Sequence, residues 1–407
     1  MIRAECKFNG VGQGLFYSAS ISTSGGRKSN FVYDCGTNYE KDKSLLIGKI
    51  DSSFSDDTID ALFISHYHKD HISGVKHLSE TYHIKNVFLP AFTEEELWLL
   101  CLKYDVKRGD ELYDFYSNPI DFFAGECRVY VVEGEEDDTP NNEREFQGDR
   151  IGYANNNDIT DGIIIETMNG IIDTSKKGKD YVRCSSESVK IYNRCWEFKI
   201  YQDQNKAQCH EIKEEIRKEY RLKFGEDFPE NSIESLIDTR RGKLCKDIYD
   251  KVEGKINQSS LVLCHYPSDS DAFVSWDNGE YCRRRYCCKC YCHKCVLAKG
   301  RVATLLTGDI NLDKLSKKNR FTKYINKVLP QIGFFQMPHH GSSHNMSENT
   351  IDSLPLNYTN MICSYGIGNK YRHPDPYLLH QLERLCNSII HVNNNEDYFY
   401  TIKGNCR

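Results

Sequence analysis

Three histidines and an aspartate stand within six residues, in the order His66, His68, Asp70 and His71. The apolar residues 59–65 before them predict a buried strand that ends at this histidine-rich loop. Because residues two apart in an extended chain point to the same side, His66 and His68 can offer ring nitrogens to one metal ion. Asp70 and His71 follow where a helix would begin, and they can serve a second ion nearby. The alternative interpretation is a set of surface or capping histidines.

Two later segments place similar chemistry directly after an apolar strand. Residues 302–306 lead into a Thr-Gly-Asp sequence that ends at Asp309, and residues 334–338 lead into His339 and His340. A carboxylate can bridge two ions and an imidazole can complete the second, as in two-metal hydrolytic centres. The glycine beside each of these groups allows the backbone to approach closely. The three segments together predict a two-metal site at the ends of strands.

The elements that must position these residues read as two β-rich halves. In the first ninety residues, short β-branched or aromatic runs alternate with glycine and polar residues, as in strands separated by turns. Thr93 precedes three glutamates and predicts an N-capped helix to about Tyr104. Residues 133–161 are rich in Glu, Asp and Asn and indicate a surface insertion. Charged helices over 211–254 and further strands after them complete the pattern, which favours a layered α/β (α+β) sandwich.

We therefore divide the chain into three parts. Residues 1–135 form the first half of the sandwich, 136–256 a partly helical insertion, and 257–407 the second half with a cysteine-rich insertion at 281–301.

Taken together, these motifs resemble the metallo-β-lactamase fold, in the subgroup typified by the hydrolase domain of DNA-internalisation competence proteins. The resemblance implies an αββα sandwich with a two-metal centre at one edge of the paired sheets. The segments that carry it, in the expected order, are residues 10–14, 34–36, 66–71, 257–263, 307–309, 339–343 and 369–374.

Residue by residue, the resemblance implies a ligand set. It assigns His66 and His68 to the first ion, Asp70 and His71 to the second, Asp309 to both, and either His339 or His340 to the second ion, with His339 preferred. Catalytic roles are expected for Asp70, His340 and His373. Either Asp70 or Asp309 can orient the attacking hydroxide, and the alternative for His340 and His373 is a hydrogen-bonding role without catalysis. His373 would hold a substrate oxygen or protonate a leaving group.

This chain departs from the family at the first ion, to which many members supply a further histidine. The candidates, none in a matching motif, are His77, His83, His210, His265 and His293. We expect water, substrate or Asn257 to complete that site. Imidazole-rich sites suit Zn and oxygen-rich ones also suit Mn, so two divalent ions of either kind are expected.

Residues 281–301 combine cysteines with basic and aromatic residues. Cys287, Cys290, Cys292 and Cys295 have the spacing of a structural zinc site, with free thiols on a hairpin as the alternative. Basic residues including Arg283, Arg284 and Arg285 alternate with tyrosines, a composition that can bind a phosphate backbone and stack on bases. A solvated hairpin that binds nothing is the other interpretation.

Composition limits the classes of function. The net charge of -6 excludes a protein that coats nucleic acid through its whole surface, and the apolar runs fall far short of the ~20 residues that span a bilayer. We expect a cytoplasmic protein without membrane contact, whose 18 cysteines are reduced thiols.

These features predict a metal-dependent phosphodiesterase or nuclease that acts on DNA or RNA. A small-molecule ester or phosphodiester hydrolase is one alternative, and a non-catalytic, metal-stabilised partner-binding subunit is another. The competence proteins carry membrane channels that this sequence lacks, so a protein partner encoded elsewhere is a further expectation. The oligomeric state stays open.

Overall fold

Two large β-sheets face each other in the computed structural model of the chain. The structure describes residues 1–24, 28–123, 125–134, 162–168, 170–175, 177–204, 206–228, 247–249, 251, 260–269, 271–275, 301–315, 319–328, 332–354, 356, 359–385 and 388–405.

The first sheet has ten strands within these ranges, in the order β10-β11-β8-β7-β5-β3-β2-β1-β20-β15. Its strands are β1 (Ile2–Phe8), β2 (Phe16–Thr23), β3 (Ser29–Cys35), β5 (Ala61–Phe63), β7 (Asn86–Pro90), β8 (Arg128–Glu133), β10 (Ile171–Thr174), β11 (Asp180–Ser185), β15 (Phe273–Ser275) and β20 (Tyr398–Gly404). Strands β3, β5, β7 and β8 run parallel. A separate small pair joins β4 (Thr58–Ile59) to β6 (His83–Ile84).

The second sheet has eight strands in the same described ranges, in the order β19-β18-β17-β16-β14-β13-β12-β9. They are β9 (Ile164–Thr167), β12 (Val189–Asn193), β13 (Trp196–Tyr201), β14 (Val262–Pro267), β16 (Ala303–Leu306), β17 (Ile332–Gln336), β18 (Asn360–Ser364) and β19 (Ser388–Val392). Strands β16 to β19 run parallel. Because the carboxyl ends of parallel strands meet at one edge, the loops after β5, β16 and β17 can come together.

Helices cover the outer faces of both sheets. They are α1 (Lys43–Asp51), α2 (Lys69–Ile72), α3 (Val75–Thr81), α4 (Glu94–Lys103), α5 (Tyr113–Ser117), α6 (Pro119–Phe123), α7 (Lys206–Phe224), α8 (Leu312–Leu315), α9 (Asn319–Val328), α10 (Glu348–Ser353) and α11 (Pro376–Arg384), with 3₁₀ turns at Glu40–Asp42 and Pro338–Gly341. Thr93 caps α4 through a reciprocal pair of hydrogen bonds with Glu96, which confirms the predicted start of that helix.

Side-chain alternation along the strands separates the core into layers. On β3, Phe31 and Tyr33 enter the cluster between the sheets, and Val32 enters the cluster under the first set of helices. The ring of Phe31 meets Phe198 of the second sheet edge-on, with centroids 5.0 Å apart. On the far side, Leu305 packs in a third cluster with the helices of the second half. This arrangement confirms the expected mixed α/β sandwich with helices on both faces.

Residues 162–201 differ from the expectation of an insertion separate from the sandwich. Strands β10 and β11 extend the first sheet, and β9, β12 and β13 extend the second. Their pairing partners are distant in sequence, as in the parallel contact of β11 with β8, and no local pattern reports such a contact. The helical part of the predicted insertion is present as α7.

The cysteines also differ in part from the expectation. Cys195 is disulfide-bonded, so the expectation of reduced thiols is wrong for this residue. Composition does not report which thiols lie within bonding distance. Among the described residues, the free cysteines are Cys6, Cys35, Cys101, Cys127, Cys184, Cys209, Cys264 and Cys363. No helix among the described residues combines the length and apolar character needed to cross a membrane.

Candidate metal centre

The predicted ligands meet at the edge where parallel strands of both sheets end. The ligand side chains form two groups. Within each group, the donor atoms all lie within 4.8 Å of one another. The first group is His66, His68 and Asp309, and the second is Asp70, His71 and His340. All of these residues are buried. Segments 66–71, 307–309 and 339–343 therefore converge on one place, as the sequence analysis expected.

Asp309 lies between the two groups. Its Oδ2 is 3.5 Å from His66 Nε2, and its Oδ1 is 3.2 Å from His71 Nε2. One carboxylate thus faces an imidazole of each group. This is the position that a bridging ligand requires.

The polar atoms at this point fit a metal centre better than a hydrogen-bonded core. His66 Nε2, His71 Nε2 and Asp309 Oδ1 are buried and have no hydrogen-bond partner among the described residues. Buried polar atoms normally find partners, because leaving one unpaired costs about 1–3 kcal/mol. Imidazole nitrogens and a carboxylate oxygen are also the donor types that Zn and similar divalent ions bind. The residues present therefore fit divalent metal ions.

The structure places His340, and not His339, with Asp70 and His71. His340 Nε2 is 3.2 Å from Asp70 Oδ2, and its Nδ1 donates to the Ser364 carbonyl at 2.8 Å. His339 is 30% exposed and its Nε2 is 3.8 Å from Asp309 Oδ2. The geometry thus favours the alternative to the preferred His339. Which side chain faces inward depends on the backbone turn, and the sequence does not report that turn.

That turn has unusual geometry. His339 and His340 both adopt left-handed backbone angles, with φ of 49° and 57°. Non-glycine residues rarely adopt this conformation, and it is concentrated at functional sites where the surrounding structure imposes it. The loop thereby turns within two residues and directs His340 into the buried centre.

Gly308 allows the loop after β16 to approach the loop after β5. Its φ is 57°, and a Cβ at this position would lie 2.7 Å from the Cβ of Ser65. Its amide donates to Gln336 Oε1 at 2.8 Å. Glycine is therefore required here, and it sets the position of the neighbouring Asp309.

Asp34 orients His71, a role that the sequence analysis did not assign. Its carboxylate accepts hydrogen bonds from Ser65 N and Ser65 Oγ, each at 2.6 Å, and from His71 Nδ1 at 2.8 Å. Because this hydrogen bond holds a proton on Nδ1, the other ring nitrogen, Nε2, faces Asp309. Carboxylates that contact metal-binding histidines from outside the ligand set commonly have this role. The available signal was the position of Asp34 in segment 34–36, at the end of a buried strand.

Burial and neighbouring charges set the protonation states of the first group. Burial lowers the pKa of His68 well below its usual range, and nearby His66 and Lys103 lower it further. Burial likewise lowers the pKa of His66. For Asp309, burial acts to raise the pKa, but His339, His71 and His66 hold it well below its usual range. Neutral imidazoles and an ionised carboxylate are the forms that bind metal ions.

In the second group, the carboxylates and the imidazoles stabilise one another's charged forms. Burial alone would raise the pKa of Asp70, but the hydrogen bond from His340 and the charge of His71 lower it. Burial alone would lower the pKa of His71, whereas Asp309 and Asp34 raise it well above its usual range. Because a metal ion binds the deprotonated imidazole, metal binding to the metal-free chain would release protons.

His373 lies at the rim of the site. Its ring centroid is 5.7 Å from that of His339, and it stacks on exposed Tyr371 at 6.0 Å. Burial, together with His339 and His340, lowers the pKa of His373 to about 4. The imidazole is therefore neutral at pH 7.

The residue that sequence reasoning missed entirely is Tyr249. Its hydroxyl is 2.5 Å from His68 Nε2, although 181 residues separate the two in sequence. No motif accompanies Tyr249, so nothing in the sequence indicated this contact.

Asn257, the cysteine set Cys287, Cys290, Cys292 and Cys295, and the arginines Arg283, Arg284 and Arg285 lie outside the described residues. Among the alternative histidines, His265 is buried between the sheets and His77 pairs with Asp51 at 2.7 Å. Neither belongs to the two groups above.

Comparison with known proteins gives one match at the level of a family model. Residues 20–94 match the metallo-beta-lactamase superfamily, and this stretch contains the segment 66–71. The sandwich is consistent with that fold, and the match indicates a metal-dependent hydrolase. Proteins of this superfamily usually bind divalent metal ions. No curated protein matches the chain.

Two solved structures resemble the chain weakly. A chemotaxis sensor ODP, in a peroxy diiron state, has 14% identity and a TM-score of 0.19 over 47% of this chain and 55% of its own, so the alignment spans about half of that protein. The metallo-beta-lactamase SMB-1, bound to 2-mercaptoethanesulfonate, has 12% identity and a TM-score of 0.19 over 62% of this chain and 95% of its own.

Proposed function

We propose that the chain is a two-metal hydrolase of phosphodiester bonds in DNA or RNA. One observation carries the proposal: two buried ligand groups meet at Asp309, whose carboxylate faces His66 and His71, and His66 Nε2, His71 Nε2 and Asp309 Oδ1 lack hydrogen-bond partners among the described residues. The proposed ligands are His66, His68, Asp70, His71, Asp309 and His340. Zn and Mn are both compatible with this donor set.

Bound divalent ions would act as Lewis acids and would lower the pKa of a bound water molecule to about 7. The residues of the chain supply position and protonation state. Asp309 holds one oxygen toward each group, and Asp34 keeps the lone pair of His71 Nε2 directed inward. Asp70, ionised and buried, is placed to orient an attacking water.

His373 has a defined part in this proposal. Because its pKa is about 4, it is uncharged at pH 7 and a poor source of a proton for a leaving group. It instead holds a substrate oxygen through its neutral N–H. Of the two roles that the family resemblance implied for His373, its protonation state favours this one.

The choice of substrate rests on chemistry. Two closely spaced ions stabilise both the attacking and the leaving oxygen of a phosphodiester. The basic residues Arg283, Arg284 and Arg285 support a nucleic-acid substrate by composition alone. The fold does not select the substrate, since related centres act on several kinds of ester.

A metal-dependence screen tests the proposal. Single-stranded DNA, duplex DNA, RNA and bis-p-nitrophenyl phosphate are each incubated with the purified protein and Mn or Zn, with Asp309→Ala as the control. We expect cleavage of a nucleic acid that is absent in the variant. Cleavage of the small diester alone would move the assignment to a small-molecule phosphodiesterase. No cleavage of any substrate would favour the partner-binding role.

A further inference from the structure

We infer that Tyr249 is a positioning residue for His68, and that it fixes Nδ1 of His68 as the atom offered to the first metal ion. The inference rests on the proposed metal centre and extends it to a segment more than 180 residues away in sequence. It assigns part of the region between the two halves of the sandwich to the site itself.

The contact is short and excluded from water. The Tyr249 oxygen lies 2.5 Å from His68 Nε2, and the side chain of Tyr249 is fully buried. When Nε2–H donates to the phenol oxygen, the lone pair of the neutral imidazole is on Nδ1. A phenol can also donate to Nε2, so the contact fixes the ring orientation, and the direction inferred here, from Nε2–H to the phenol oxygen, sets the tautomer.

The other three imidazoles of the centre follow the same rule. His71 Nδ1 is held by Asp34, and His340 Nδ1 is held by the Ser364 carbonyl. His66 Nδ1 lies 3.0 Å from Ser65 Oγ. In each case one ring nitrogen is held by the protein and the other faces the ligand group, the usual arrangement around a metal ion. For His68, the residue in the holding position is Tyr249.

Tyr249 is itself held from several sides. Lys103 Nζ lies 3.8 Å from the centroid of the tyrosine ring, a cation–π distance. The ring belongs to the same hydrophobic cluster as Trp98 of α4 and Tyr220 of α7. These contacts connect the position of the phenol oxygen to α4 and α7.

Ion pairs strengthen this connection. Asp247 pairs with Lys223, and Lys251 pairs with Glu219, so the segment around Tyr249 is tied to α7. In turn, Arg217 of α7 lies 2.9 Å from the buried carboxylate of Glu95 in α4. The contacts thus connect α4, through α7, to the segment that carries the Tyr249 hydroxyl.

The Tyr249→Phe variant tests the inference because it removes only the phenol oxygen. We expect a 10- to 100-fold weaker affinity for the first of two bound ions, measured by calorimetry with Zn, since loss of an outer hydrogen bond to a ligand has this effect. With Co in place of Zn, the absorption spectrum of the bound ion should also change.

Tyr82→Phe is the matched control. Tyr82 lies in the same cluster, and its hydroxyl donates to the Ile50 carbonyl at 2.8 Å, away from the ligands. This variant loses one buried phenolic hydrogen bond as well. Its metal affinity and Co spectrum should remain those of the parent protein.

A second measurement does not require the variant to fold. Long-range ¹⁵N–¹H spectra of the metal-free parent protein should show His68 as the single tautomer protonated on Nε2. A His68 protonated on Nδ1 would overturn the inference, as would unchanged Zn affinity and Co spectrum in Tyr249→Phe. If the parent protein binds metal but cleaves no diester, the proposed function fails while the role of Tyr249 is still decided. If it binds no metal, the tautomer alone decides that role.

Discussion

Two buried clusters built around histidine lie within the described part of the chain, and they differ in how their hydrogen bonds are satisfied. Between the sheets, His265 Nδ1 accepts from Trp196 Nε1 at 3.3 Å and its Nε2 meets Tyr17 Oη at 2.8 Å. The network continues from Tyr17 to Tyr400 at 3.2 Å and from Tyr400 to Thr304 at 2.6 Å. Both nitrogens of His265 are thus engaged by protein groups.

At the sheet edge, by contrast, His66 and His71 each have one engaged nitrogen, and the other faces the Asp309 carboxylate. His66 Nε2 and His71 Nε2 have no hydrogen-bond partner among the described residues. Burial and residue type are similar in the two clusters. Buried histidines occur in both clusters, so burial does not identify a metal centre. What distinguishes the metal centre from a structural network is a set of ligand atoms that face one another without hydrogen-bond partners.

The largest expected difference concerns Asp309, which belongs only to the edge cluster. Asp309→Ala should lower the hydrolytic rate at least about 10³-fold, or about 4 kcal/mol, because it removes the ligand shared by both groups. The assay is turnover with saturating Mn or Zn, with circular dichroism to check folding. Turnover within tenfold of the parent protein would contradict the two-metal assignment.

A smaller effect, on stability instead of activity, is expected for the central network. His265→Phe leaves the Trp196 N–H and the Tyr17 hydroxyl without their partner, which should lower the free energy of unfolding by about 3 kcal/mol. Urea unfolding in the presence of a chelator measures it. Zn affinity of the folded variant should stay unchanged; a large loss of affinity would mean that the two clusters are coupled.

Asp34 should give an intermediate result at the edge cluster. Asp34→Asn keeps the shape of the side chain but removes the charge that holds His71, so metal affinity should fall about 10- to 100-fold. Calorimetric titration with Zn measures the change. Asp60→Asn is the control, since Asp60, just before β5, is also buried and accepts from Asn30 N at 3.0 Å and from Lys85 Nζ at 2.6 Å, outside the ligand groups. Equal losses in both variants would count against a specific role for Asp34.

The smallest expected effect is a difference in pH dependence. Burial lowers the pKa of His265 to about 3, below its unfolded value near 6.5. Between about pH 3 and 6.5 the unfolded chain binds a proton at His265 that the folded chain does not bind. The free energy of unfolding therefore falls by about 1.4 kcal/mol per pH unit as the pH drops below 6.5. Above pH 6.5 the contribution is fully present. His265→Phe should lose this slope, measured by urea unfolding at pH 6.5 and 5.5 with chelator; equal slopes would show that His265 titrates normally.

Local sequence patterns predicted most of the edge cluster. The segment 66–71 and Asp309 each follow an apolar strand, and the ends of parallel strands meet because of the sheet topology. The choice between His339 and His340 needed the left-handed turn, which sequence patterns do not report. Tyr249 needed a contact across 181 residues, which no motif records.

In the fold, too, local features were predicted and contacts between distant segments were not. The capped helix α4 is a local feature, and it was predicted at nearly the observed bounds. The attachment of β10 and β11 to the first sheet was not predicted, because it depends on partners chosen by the packed core. The acidic composition of residues 133–161, which precede these strands, indicated a surface insertion and not an extension of the sheet.

The pairing of β1 with β20 has a consequence for synthesis in the cell. Ile2 lies opposite Gly404, so one edge of β1 stays without its partner until residue 404 has left the ribosome. At about 5–20 residues per second, the wait is roughly 20 to 80 seconds. An unpaired strand edge invites association with other chains during that interval. Slow translation should therefore favour aggregation of the nascent protein, and chaperones that shield β1 should raise its soluble yield.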